Sequence, residues 1–234
     1  MMSVNCTDNI NFVRYIMKIS NDTLSVLKNF AGVNTNILVR QGNTLSTIST
    51  GKNIFARATV AETFDREFAI YDLNSLLGLL TLMEDTDVSF GEESITVSKD
   101  RSLFEYYYAD PEIIVGAPDK QIEVDEFFTF DLSADDLSMI QKAAGITAAP
   151  MVSVIGNGST ATITVGDPAT PKSNSFKQVI AETDKTFAAH LQIENLKVLP
   201  GDYRVIISQK KFMHMINTKS DVKYWLALHQ SSEV

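Results

Sequence analysis

Two stretches of this chain repeat one another. LSVLKNFAGVN begins at Leu24 and LSMIQKAAGIT at Leu137; Leu, Ser, Ala and Gly coincide, and the other apolar positions stay apolar. A second pair follows in the same order, YDLNSLLGLL from Tyr71 and LQIENLKVLP from Leu191. The offsets are 113 and 120 residues. Two helical stretches matching in one order point to a single module used twice, with small insertions. The module reads strand, helix, several strands, helix, several strands.

Around these stretches, period-2 patterns rich in Val, Ile, Thr and aromatics dominate. Seven strand candidates lie between Asn36 and Tyr108 and eight between Glu126 and His229. Four segments read as helices: Asn21–Ala31, Leu73–Met83, Ala134–Ala144 and Ile193–Leu199. IIVGAPDKQIEVD, residues 113–125, carries the Gly, Pro and charge of a surface connector. The class is α+β, as two similar β-rich domains each with two helices. Residues 1–16 read as an N-terminal extension without fixed structure, MKIS at Met17 being the sensible start. Domain one spans 17–112, the connector 113–125 and domain two 126–234.

Charge narrows the function. The net charge of -9 argues against a protein that grips nucleic acid through many phosphate contacts. Lone lysines nevertheless mark the repeated helices: Lys28 in the first, Lys142 in the third and Lys197 in the fourth. An ordinary solvated helix face would explain each alone; their recurrence at related module positions argues for more. The single Cys6 permits no disulfide framework and suggests a reducing compartment. No apolar run reaches the ~18 residues of a membrane span. Gly-rich phosphate loops, metal-spaced Cys/His clusters and nucleophile motifs are absent from the sequence. No enzyme activity, metal or cofactor is expected. Asp135-Asp136 reads as a helix start, and Asp85 and Asp87 as a turn.

Three apolar clusters remain. FEYYYAD at 104–110 suits a strand with large side chains on both faces, as at an interface. VKYWLAL at 222–228 reads equally as a ligand-binding strand or as a last strand with a buried Trp225. IEVDEFF at 122–128 sets Ile122 and Val124 in the connector, where they could line a peptide groove.

MKIS at 17–20, VLKNFA at 26–31, AIYDLNSLLGLL at 69–80, ADPEIIVGAP at 109–118, LPGDY at 199–203 and YWLAL at 224–228 together resemble the sliding clamps of T-even-type bacteriophages. These are the processivity factors of the phage DNA polymerase. The resemblance runs from Met17 almost to the end and implies the DNA-clamp fold. It implies a closed homotrimeric ring with twelve helices lining a hole that duplex DNA threads without sequence readout. Lys18, Lys28, Lys142 and Lys197 would face DNA. Subunits would join through Arg101–Tyr108 and Ser175–Thr183, with Phe104, Tyr106, Tyr108, Phe176 and Val179 at the interface. Ile48, Ile122, Val124, Pro200 and Trp225 would form a pocket for the C-terminal peptide of the polymerase. An ATP-dependent clamp loader and late transcription factors are further implied partners, and the cytoplasm of the infected bacterial host is the implied location. A ring-forming phage structural protein is the alternative; it would need neither inward lysines nor a peptide groove.

Overall fold

The computed structural model describes residues 15–83, 87–99, 101–170 and 172–234. Cys6, Asp85 and the extension as far as Arg14 lie outside the described residues. The first module runs β1 (Tyr15–Met17), α1 (Asn21–Val33), β2 (Ile37–Val39), β3 (Gly42–Ile48), β4 (Ile54–Phe64), β5 (Phe68–Ile70), α2 (Leu73–Leu82), β6 (Asp87–Phe90), β7 (Ser94–Lys99) and β8 (Ser102–Tyr107). The second runs β9 (Phe128–Leu132), α3 (Ala134–Thr147), β10 (Met151–Asn157), β11 (Thr160–Gly166), β12 (Phe176–Glu182), β13 (Thr186–Gln192), a 3-10 turn (Ile193–Asn195), β14 (Tyr203–Ser208), β15 (Phe212–Asn217) and β16 (Val222–Ala227). Every expected strand is present. β1 is additional, and its pairing from Tyr15 places Tyr15 and Ile16, read as extension, in a sheet with β6.

Sheet order carries the duplication. β1-β6-β7-β8 in the first module has its twin in β9-β14-β15-β16. The sheet β12-β11-β10-β13 has its twin in the pairs β3–β4 and β2–β5. The modules join because β4 pairs antiparallel with β16, making one six-stranded sheet β3-β4-β16-β15-β14-β9.

Helix starts follow from local chemistry. Ser20 and Ser133, at equivalent places, each accept a backbone N–H three residues on, from Thr23 at 3.3 Å and Asp136 at 3.1 Å. Asp72 caps α2 in the same way. Below Ser20, the buried Glu62 accepts the Ser20 N–H and the Thr23 hydroxyl. Each helix turns an apolar stripe inward: Leu27 and Phe30 on α1, Leu73, Leu76 and Leu80 on α2, and Leu137 and Ile140 on α3. In the first module these pack on Ile37, Leu45, Phe68, Val88 and Ile95. In the second, Ile140 packs among Phe130, Val154, Ile163, Leu191 and Met215.

The expected helix Ile193–Leu199 is not formed, so the second module has one α-helix among the described residues rather than two. After the 3-10 turn the chain takes no regular structure, with Leu196 and Val198 buried and Lys197 exposed. Only seven residues separate β13 from Pro200, and a residue before proline is biased away from helical backbone. Long-range bonds then hold this form: Asn195 Oδ1 accepts from Asn53 Nδ2 at 2.7 Å, and the Leu199 N–H donates to Tyr224 Oη at 3.1 Å.

Candidate functional site

Three surfaces bring the expected residues together or separate them. The first is the solvent side of the helices. On α1 the exposed stripe is Asn21, Ser25, Lys28 and Gly32. The segment after β13 lies beside the end of this helix. Lys197 Nζ donates to the Gly32 carbonyl at 2.9 Å, and Asn29 Nδ2 donates to the Lys197 carbonyl at 3.3 Å. Lys197 therefore supplies the cation that the last turn of α1 itself lacks, and it stands within reach of the Lys28 face. Lys142 is exposed on α3. The ungapped repeat sets Lys142 against Asn29, and Lys28 against Gln141, so the two lysines sit one position apart, about 100° around the helix. Lys18 does not join this group. Met17 and Ile19 beside it pack on the core, which turns the exposed Lys18 to the other side of an extended chain. The solvent side of α2 carries Asn74, Ser75 and Gly78 and no cation.

The second surface consists of two open strand edges. β8 ends one sheet and β12 another. β8 exposes Leu103, Phe104 and Tyr107, and β12 exposes Val179; unpaired edges with apolar side chains invite another strand. Phe176 is half-buried against the core of its own module. Tyr106 and Tyr108 are not edge groups. Tyr106 Oη donates to the Asp72 carbonyl at 2.9 Å. Tyr108 stacks on Phe68 and donates to the Gly91 carbonyl at 3.3 Å, and burial raises its phenol to about 12. The exposed Leu103 and Tyr107 were missed because period-2 reading cannot tell which face of an edge strand is open.

The third surface is the face of the six-stranded sheet opposite the helices. Register sets Ile48, Phe55, Trp225, His214 and Ile206 in one row across five strands. Phe55 and Trp225 lie 5.0 Å apart by ring centroid, and His214 stacks on Trp225 at 4.4 Å. Burial holds the His214 imidazole below its ordinary range, so it stays neutral. Arg57 lies over Phe55. The connector crosses this face. Arg40 Nη2 donates to the Ala117 carbonyl at 2.8 Å and Arg57 Nη2 to the Lys120 carbonyl at 3.1 Å. Farther along, Asp125 accepts from the Ser208 hydroxyl and, at 2.8 Å, from the Gln209 N–H. These bonds hold the Asp125 carboxyl below the usual carboxylate range.

Ile48, Ile122, Val124 and Trp225 thus share one face. Tyr224 and Trp225 are successive strand residues and point to opposite faces; Tyr224 binds the Leu199 N–H on the helix side, and the exposed Pro200 is the next residue. Phe55, His214 and Ile206, absent from the expected set, complete the row. Only the strand register brings them in, and one sequence does not state it. Among the described residues no cluster of three or more His, Cys, Asp or Glu could hold a metal ion, and no helix is long and apolar enough to cross a membrane.

Residues 20–116 match the family described as DNA polymerase processivity factor. The sliding clamp of Vibrio phage KVP40 is 31% identical over 199 residues, covering 82% of this chain and 90% of that protein. The sliding clamp of Enterobacteria phage T4 is 29% identical over 204 residues, covering 83% and 88%. Among solved structures, the proliferating cell nuclear antigen (PCNA) of Thermococcus kodakaraensis superposes with a TM-score of 0.68 at 11% identity, over 92% of this chain and 98% of that one. A putative DNA polymerase III beta subunit from Eubacterium rectale gives 0.68 at 12% identity, over 93% and 66%. The fold is that of these proteins, and by sequence the chain belongs to the sliding clamps of T-even-type bacteriophages.

Proposed function

We propose that three copies of this chain close into a ring around duplex DNA and tether the phage DNA polymerase for processive synthesis. The observation that carries this reading is the pair of open edges. Counting register outward from the two capping serines puts Phe104 where Tyr224 stands; counting from the register shift in β3–β4 and from its twin in β11–β12 puts Phe176 where Ala56 stands. Tyr224 and Ala56 are directly opposed at the junction inside the chain. By the same rule Phe104 of one copy lies opposite Phe176 of the next, and Leu103 opposite Lys177. A head-to-tail contact of this kind closes into a ring when its rotation allows, and closure would leave neither edge exposed. With three α-helices among the described residues of each chain, such a ring would set nine of them and three segments after β13 around its hole, where the resemblance implied twelve helices.

The solvent side of the helices would then line the hole. Lys28, Lys142 and Lys197 are sparse there because a ring retains DNA by topology and needs little intrinsic grip. Screened, sequence-blind phosphate contacts of this sort permit sliding. The sheet row with Ile48 and Trp225, bordered by Ile122 and Val124 of the connector, would take the C-terminal peptide of the polymerase. An ATP-dependent loader would open the ring, and late transcription factors would share the peptide row. The chain would act without catalysis, in the cytoplasm of the infected host, with a first domain that takes in Tyr15 and Ile16 and runs to residue 112, a connector 113–125 and a second domain 126–234.

Retention on DNA tests the ring. Loaded on nicked circular DNA, the protein is expected to stay bound and to be lost rapidly once the circle is cut. Equal loss from both forms would overturn the topological reading. A cysteine pair, Leu103→Cys with Lys177→Cys, is expected to give covalent trimers on oxidation; covalent species limited to random dimers would refute the register.

A further inference from the structure

Phe55, His214 and Ile206 lie on the sheet face away from the helices, yet they are only 6%, 5% and 3% exposed. The connector covers them. It is tied to β4 through Arg57 and Lys120, and to the end of β14 through Ser208, Gln209 and Asp125. Those strands are three spacings apart, about 14 Å at ~4.8 Å each. Five residues from Lys120 to Asp125 reach roughly 17 Å at full extension. The segment must therefore run over β16 and β15, above Trp225 and His214. Its burial alternates accordingly: Gln121 and Glu123 are exposed, and Ile122 and Val124 half-buried toward the sheet.

The cover is an imperfect fit. Trp225 Nε1 and Arg57 Nε are both buried beneath it with no acceptor among the described residues. A buried donor left unpaired costs about 1–3 kcal/mol, so the closed arrangement carries a penalty that another occupant could relieve. The two anchors also differ. At the Asp125 end a carboxylate takes two bonds, and Lys210 Nζ stands 3.7 Å from Glu123. At the other end Arg57 holds one carbonyl, with Asp119 at 4.0 Å.

We infer that residues 120–125 are a displaceable lid, latched by Arg57, whose Ile122 and Val124 occupy the row that an incoming peptide must take. The occupant it admits is an extended peptide with apolar side chains two residues apart, as Ile122 and Val124 are, and with a carboxylate or carbonyl acceptor for the indole and guanidinium donors. This rests on the reading of the row as the partner site.

The chain's single tryptophan, Trp225, reports on the lid directly. Acrylamide quenching is measured for the full-length protein, for Arg57→Ala, and for Ile122→Ser, which loosens the lid at a different point. Both variants are expected to raise the quenching constant about threefold by populating the open form. A fluorescein-labelled peptide of the last eight residues of the phage polymerase is then titrated by anisotropy. Ile122→Ser, which keeps both donors, is expected to bind it at least about threefold tighter than wild type, since the closed population competes less. Unchanged quenching in both variants overturns the lid. Raised quenching with equal or weaker peptide affinity overturns the displacement. Raised quenching with no peptide binding by any form overturns instead the reading of the row as the polymerase site.

Discussion

One junction in this protein is closed within the chain, and its twin is left as two open edges. Where β4 meets β16, Tyr224 faces the helices and reaches both Asn29 Oδ1, at 2.8 Å, and the Leu199 N–H. On the other face Trp225 is flanked by Phe55 and His214. Thr59 adds two bonds to Asp221, through its N–H at 3.0 Å and its hydroxyl at 2.6 Å. On the open edges Phe104 and Phe176 stand where Tyr224 and Ala56 do, while Glu105 and Ser175 take the places of Trp225 and Phe55. The helix ends differ in the same sense: Val33, at the end of α1, is 9% exposed, and its counterpart Ile146 on α3 is 86% exposed. The same module surface is thus built once as permanent core and once as a separable contact.

The largest expected effect comes from truncating one residue of each twin. Tyr224→Ala, inside the closed junction, should cost about 3–5 kcal/mol of folding stability, as for other large buried aromatics. Phe104→Ala should leave the denaturant midpoint of an isolated subunit nearly unchanged while abolishing association at micromolar concentration. Chemical denaturation and native mass measure the two separately. A Phe104→Ala chain that is strongly destabilised as a monomer would break the comparison, because it would make the open edge part of the subunit's own core. Tyr224→Phe is a finer probe. It keeps the ring and removes the hydroxyl bonds to Asn29 and Leu199, for a loss of about 1–2 kcal/mol.

How much of this was legible in the sequence depends on range. The duplication, the three long helices and the strands follow from period and capping, which are local. The segment after β13 is the instructive failure. LQIENLKVLP carries apolar residues at helical spacing, but its outcome is decided by Asn53, Tyr224 and Pro200, two of them far away in the chain. Phe55, His214 and Ile206 were omitted from the peptide row for one reason. Which face a side chain takes depends on which strands pair and in what register, and here the pairing crosses between modules. Phe104, Tyr106 and Tyr108 share one face of their strand, and only contacts such as those of Tyr106 with Asp72 and Tyr108 with Phe68 show that the last two are also tied into their own module.

The N-caps of the twin helices differ in what lies beneath them, and pH exposes the difference. Burial raises the Glu62 carboxyl, but bonds from Thr23 and Ser20 outweigh that and leave it below the ordinary glutamate range. A carboxyl depressed by folding stabilises the protein above its unfolded pKa, and that contribution fades as pH falls through the folded value. Subunit stability should therefore decline as pH drops below the ordinary glutamate range, near 4.3. Glu62→Gln should flatten this part of the profile and cost about 1 kcal/mol at neutral pH. An unaltered slope in the variant would assign the acid sensitivity to other carboxyls, such as Asp136, which bonds from Ser133 and Gln178 depress at the α3 start.

The smallest expected effect concerns α2, which has no helical twin among the described residues of the second module. Gly78 sits in the middle of α2, exposed, with no atom within 4 Å of where a Cβ would stand. Glycine inside a helix costs about 0.8–1 kcal/mol relative to alanine. Gly78→Ala should therefore stabilise the subunit by about that amount and raise its melting temperature by roughly 2–4 °C. Gly32 also has open space at its Cβ, but it lies next to the last residue of α1, where helical backbone is less demanding, so Gly32→Ala should gain less. If both changes stabilise the subunit equally, the end of α1 is as fully helical as the middle of α2. The Lys197 bond to the Gly32 carbonyl would then be enough to hold the last turn without help from the residue it caps.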